Sequence, residues 1–90
     1  MSKRIAFTVH GKVQGVCFRD FAQSQASSYG VTGFVSNTSD GKVAGEAQGD
    51  DESLKKLKAD LNEGPKAAQV VKVEVKDIAT KDGEKSFNVA

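Results

Sequence analysis

Between Arg4 and His10 the apolar residues Ile5, Phe7 and Val9 alternate with Arg4, Thr8 and His10. A period of two predicts a strand with one face buried. From residue 18 the period lengthens: Phe21, Ala22, Ala26 and Tyr29 follow Phe18 at offsets of 3, 4, 8 and 11, and Gly30 supplies a stop. This spacing puts an apolar stripe on one face of a helix. Residues 31–37 (VTGFVSN) predict a second strand, Thr38-Ser39-Asp40-Gly41 a turn that tolerates positive φ, and residues 42–48 (KVAGEAQ) a returning third strand. A second helix opens at Asp50, Asp51 and Glu52, whose carboxylates suit a helix N-terminus. It carries Leu54, Leu57 and Leu61 on one face and ends at Gly64-Pro65. Val71, Val73 and Val75 then alternate with Lys72, Glu74 and Lys76, which predicts a strand with its odd-numbered face buried. Phe87 and Val89 suggest a short last strand after the polar loop 79–85.

The order of these elements restricts how they can be arranged. A strand, a helix running back and a second strand leave the two strands parallel, and the turn at Asp40-Gly41 reverses the third. Pairing the two halves yields a βαββαβ, ferredoxin-like α+β sandwich: one antiparallel sheet, two helices on one face, and a short extra C-terminal strand. Ninety residues suffice for one such domain, expected over 1–90, and not for two.

Composition narrows the function more than the fold. Thirteen basic and 12 acidic side chains leave a net charge of +1, so the chain lacks the basic excess of a nucleic-acid binder. RNA binding on a sheet of this kind would need exposed strand aromatics, whereas Phe7 falls on the apolar side of its strand. No apolar run approaches the ~18 residues of a membrane span, and the N-terminus MSKRIAFTVHG has no signal-peptide core. With one cysteine and no possible internal disulfide, a cytosolic setting is expected.

The stretch GKVQGVCFR, residues 11–19, joins the first strand to the first helix. Strands one and two end at the same edge of the sheet, which brings this loop near the turn that begins at Asn37. With the third strand between them, the attachment points of Arg19 and Asn37 lie about 10 Å apart, since neighbouring strands are spaced by ~4.8 Å. Gly11 and Gly15 permit a concave loop whose amides converge on an anion at the helix N-terminus, and Arg19 adds a fork of donors. The residues alone leave a tight turn beside a solvated arginine equally open. The pattern is not a P-loop, because GxxxxGK[ST] is absent.

The run from Gly11 to Arg19 resembles the acylphosphatase signature GxVQGVxFR. Residues 30–43, GVTGFVSNTSDGKV, resemble that family's second block, GxxGWVxNxxDGxV, and Gly64-Pro65 with Ala68-Gln69-Val70 resembles its approach to the fourth strand. The resemblance spans nearly the whole chain and implies the ferredoxin-like fold. It implies hydrolysis of the carboxyl-phosphate bond of a small-molecule acyl phosphate, releasing a carboxylate and inorganic phosphate. By the same resemblance the loop amides of Gln14, Gly15, Val16, Cys17, Phe18 and Arg19 cradle the phosphate. The Arg19 side chain binds it too, and Asn37 orients the attacking water. No metal or cofactor is implied, and nucleic acid and membrane are not expected as partners. A monomer is expected from the polar C-terminal region. A free-standing enzyme is expected because the chain ends at residue 90, whereas relatives also occur within larger hydrogenase-maturation proteins. Phe34 stands where a tryptophan is frequent and Ser36 where a basic residue is. The competing reading is a module that senses a small anion with the same loop and does no chemistry. Cys17 reads as a small packing residue, His10 as a surface residue at a strand end, and Lys55, Lys56 and Lys58 as a solvated helix face.

Overall fold

The computed structural model describes residues 2–15 and 17–90. In chain order they form β1 (Lys3–Lys12), α1 (Phe18–Ser28), β2 (Thr32–Asn37), β3 (Val43–Gly49), α2 (Asp51–Glu63), β4 (Gln69–Ile78) and β5 (Phe87–Val89). The strands lie in the order β4-β1-β3-β2-β5. β1 pairs antiparallel with β3 and β4, and β3 antiparallel with β2. β3 thus separates β1 from β2, the arrangement on which the expected spacing of Arg19 and Asn37 depends.

Ile5, Phe7 and Val9 of β1, Val35 of β2 and Val43 and Ala47 of β3 form the buried sheet face. Both helices cover it, α1 through Phe18, Ala22 and Ala26 and α2 through Leu54, Leu57 and Leu61. Each of these leucines gains about 1.5–3 kcal/mol from leaving water. Both helices begin and end where expected: Gly30 follows α1 at φ 71°, and Asp50 caps α2 by accepting from the Ser53 amide at 2.7 Å.

Two expectations are corrected. The sheet is not wholly antiparallel, because β5 pairs parallel to β2, Gly33 facing Phe87 and Val35 facing Val89. β4 ends where β1 and β2 begin, so a connection crossing along that end of the sheet can only send the next strand in the direction of β2. The odd-numbered face of β4 is also not buried throughout. Val73 and Val75 pack on the core, but Val71 is 77% exposed and Val70 packs in its place. The cause is a β-bulge: His10 opposes Lys72 and Gly11 opposes Val70, so Val71 is skipped and the alternation inverts beyond it. Gly11, at φ 130°, permits the bulge, since a Cβ there would sit 2.1 Å from the Gln69 carbonyl oxygen.

On the sheet face away from the helices, Arg4 is only 2% exposed. Its Nε donates to Glu46 at 2.8 Å, while Nη1 and Nη2 donate to the two Glu84 carboxylate oxygens at 2.9 and 3.2 Å. Gln48 adds two contacts to the Lys81 main chain. The β4–β5 connection is thereby strapped to the start of β1.

Candidate active site

Val13 and Phe18 are each 1% exposed, so both ends of the loop between β1 and α1 are clamped into the core. Between them Gly15 at φ 72° and Cys17 at φ 59° lie in the left-handed region. Cys17 is the residue preceding α1, and its carbonyl accepts the Phe21 amide at 3.0 Å. No described side chain caps this helix N-terminus. The early amides of α1 and the positive end of its dipole therefore point at one place, a site for an anion.

A cavity of about 280 Å³ opens there, lined by Gly15, Cys17, Arg19, Asp20 and Asn37 over a floor of Val13 and Phe18. The volume lies at the small end for a ligand site. Arg19, the second residue of α1, donates Nη1 to the Ala90 carbonyl oxygen at 3.1 Å. Ala90 in turn donates its amide to Val35 at 2.8 Å, so the parallel pairing of β5 holds an acceptor against the guanidinium. Among the described residues its other donors have no hydrogen-bond partner, and a guanidinium fork can pair with an anion.

Asn37 closes β2 opposite Val43 and is exposed at the cavity. The turn behind it is tightly bonded. The Thr38 amide donates to the Lys42 carbonyl at 2.8 Å, and the Lys42 amide donates to the Thr38 hydroxyl at 2.9 Å. The Thr38 hydroxyl donates to Asp40, and Lys42 Nζ lies 3.1 Å from the same carboxylate. These two partners, the hydroxyl first, hold the Asp40 carboxyl below its ordinary pKa. Gln14 reaches across to this turn, its Nε2 donating to both the Thr38 and the Lys42 carbonyl oxygens at 2.9 Å.

Of the residues expected at the site, Gly15, Cys17, Phe18, Arg19 and Asn37 line one cavity. Gln14 sits beside it with its side chain turned to the β2–β3 turn, and Val16 lies outside the described residues. Cys17 is not a packing residue: its left-handed backbone at the helix start leaves it exposed. His10 lies within β1, paired with Glu74 across the β1–β4 ladder. The sequence reading missed the Gln14 side chain and Ala90 as neighbours of the site, and Arg4 as a buried group. Gln14 was visible only as one letter of a motif, and Arg4 reads in the alternation as an ordinary outward residue.

A protein-family model described as acylphosphatase matches residues 5–89. An acylphosphatase from Clostridium acetobutylicum is 44% identical over 89 residues, covering 99% of this chain and 98% of its own length. The structure of an acylphosphatase from Coxiella burnetii aligns with a TM-score of 0.94 at 38% identity, over 99% of this chain and 93% of that one. That of an acylphosphatase from Bacillus subtilis aligns at 0.93 with 29% identity, over 100% and 99%.

Proposed function

The chain belongs to the acylphosphatase family and shares its hydrolase activity on acyl phosphates, and from that premise we propose that residues 1–90 act as one domain whose reaction runs in the cavity between Arg19 and Asn37. In this reading the amides from Gln14 to Arg19 and the Arg19 guanidinium hold the phosphate, while the Asn37 carboxamide orients a water for attack on phosphorus. The observation that carries it is the meeting of three features at one cavity: a helix N-terminus that no described side chain caps, an arginine from α1 and an asparagine from β2.

The chemistry asks little else of the protein. The leaving group is a carboxylate, whose conjugate acid has a pKa of about 4, so it departs without a proton donor. Phosphoryl transfer is driven chiefly by positioning and by stabilising charge on the equatorial oxygens, which converging amides and a guanidinium provide. A carboxamide is no base, so the water's proton passes to a phosphate oxygen of the substrate. Attack forms one P–O bond as the carboxylate–phosphorus bond breaks, releasing inorganic phosphate and the carboxylate.

Hydrolysis of benzoyl phosphate, followed spectrophotometrically, tests these roles. Asn37→Ala is expected to lower kcat by about 10²–10³-fold with little change in KM, as for loss of one preorganised polar group. Arg19→Gln should lose more and also weaken inhibition by inorganic phosphate. Full turnover in Asn37→Ala would remove the water-orienting role, and full activity in Arg19→Gln the phosphate site. We also take the domain to be monomeric and cytosolic. Val71 is the one large exposed hydrophobic residue among those described, and Cys17 is an exposed free thiol suited to a reducing compartment.

A further inference from the structure

We propose that the Gln14 side chain is a positioning brace that sets the spacing between the two halves of the site, the anion loop and the strand end bearing Asn37. The inference rests on the hydrolytic reading and adds a residue that acts without touching substrate.

The two halves belong to strands that are not neighbours. Within the sheet β1 and β2 are joined at their common end through β3, where Val43 opposes both Val9 and Asn37. Beyond Val43 the β1–β3 and β2–β3 ladders stop, and the loop carrying Gly15 and Cys17 stands past the last rung. Among the described residues it is Gln14 that hydrogen-bonds across this gap. Its single NH₂ group donates both hydrogens, one to the Thr38 carbonyl and one to the Lys42 carbonyl, each at 2.9 Å.

The acceptors make the contact stiff. Lys42 O already accepts the Thr38 amide at 2.8 Å, so Gln14 completes an oxygen fixed by the turn itself. Thr38 O, which also takes the Gly41 amide at 3.4 Å, belongs to the residue directly after Asn37. At the other end Gln14 follows the fully buried Val13 and precedes Gly15 at the cavity wall. A rigid element on each side is thus joined through one carboxamide. Both donors are consumed, so this side chain has no N–H to give a phosphate. Two converging carbonyls demand a donor on each line, which a glutamate or methionine does not supply.

The brace matters because in-line attack needs the water on Asn37 and the phosphate on the loop in register. An error of about 1 Å can cost on the order of 10²-fold in rate. Phosphate binding by the loop alone has no such requirement. The proposal therefore separates turnover from binding.

The test is a double-mutant cycle on benzoyl phosphate, with Gln14→Met, which keeps length but removes the donors, and Gln14→Asn, which keeps the amide but falls short of the turn. Each is read in the natural sequence and in Asn37→Ala, with thermal unfolding monitored alongside. The expected result is a fall in kcat of about tenfold or more in the natural sequence. KM and inhibition by inorganic phosphate should stay within about threefold. In Asn37→Ala the same substitution should lower kcat by less than about twofold, because the group that Gln14 positions is already gone. An equal fall in both backgrounds, an effect confined to KM, or unchanged kcat would overturn the brace. So would unfolding of both Gln14 variants at the assay temperature, which would make the contact a requirement of the fold. The water-orienting role of Asn37 fails separately, if Asn37→Ala by itself retains full turnover.

Discussion

Gly11 and Gly15 stand four positions apart in one motif, yet the structure needs them for different reasons. At Gly11 the obstacle is another strand: a Cβ would lie 2.1 Å from the Gln69 carbonyl and 2.8 Å from the Val71 amide nitrogen. At Gly15 a Cβ would meet nothing within 4 Å, and only the φ of 72° discriminates against other residues. Gly15→Ala should then cost about 1–2 kcal/mol of stability, the penalty for an L-residue in the left-handed region. Its larger effect should be on phosphate inhibition, because relaxing toward negative φ turns the loop amides away from the cavity. Gly11→Ala should do the reverse, destabilising by more than Gly15→Ala as β4 is pushed off β1, while the surviving folded protein keeps its phosphate affinity. Urea unfolding and phosphate inhibition of both variants check the pair; the same ranking in both measurements would refute the division.

At the scale of elements, the strap from Arg4 to Glu84 ties the segment that leads into β5 to the start of β1. Arg4 has a side chain 1% exposed, with Glu84 at 11% and Glu46 at 35%. Replacing it with methionine would leave Glu84 facing the sheet without its partner. Arg4→Met is expected to cost about 2–4 kcal/mol, near the lower part of the range for breaking a buried pair because Glu46 retains water. Arg4→Lys should recover part of this, since it keeps charge but not the fork. Urea midpoints of the two variants measure it, and a loss below about 1 kcal/mol for Arg4→Met would show that the strap is dispensable. The same element shows how far the sequence is readable. Helix faces and the buried face of β1 follow from the apolar periods at Phe18–Ala26, Leu54–Leu61 and Ile5–Val9, because burying one face is a local demand. The bulge that exposes Val71 does not follow, because it depends on Gly11 lying opposite β4, a pairing between residues about sixty positions apart. That Arg19 and Asn37 meet at one cavity was legible through motif and topology together. The links from Gln14 to the β2–β3 turn and from Ala90 to Arg19 are long-range polar contacts with no periodic trace.

For the whole molecule, the carboxylates set how the fold responds to acid. Glu84 is held below its ordinary pKa chiefly by the Arg4 fork, Asp50 by the Ser53 amide, Asp51 by Lys3 and then Lys55, and Glu74 by His10 and then Lys72. Asp40 is lowered by the Thr38 hydroxyl. A depressed carboxyl binds its proton more weakly in the folded chain than in the unfolded one. Below the ordinary carboxylate range the unfolded state therefore gains protons first. The stability these groups contribute is complete above about pH 5 and is lost as pH falls through about 4 toward their folded values. Equilibrium unfolding in urea at a series of pH values should show a midpoint that drops below about pH 4.5, with a slope equivalent to uptake of several protons. The groups differ in their response to salt. Asp40, Asp50, Asp51 and Glu74 are exposed, so 0.5 M salt should weaken the ion pairs of Asp40, Asp51 and Glu74. The Asp50 cap is a hydrogen bond to an amide and the Glu84 pair is shielded by the sheet, so both should persist. Glu84→Gln should accordingly lower the plateau above pH 5 and flatten the acid slope even at high salt. A plateau that continued unchanged to pH 3 would mean that these contacts are equally made in the unfolded chain, and would refute the assignment.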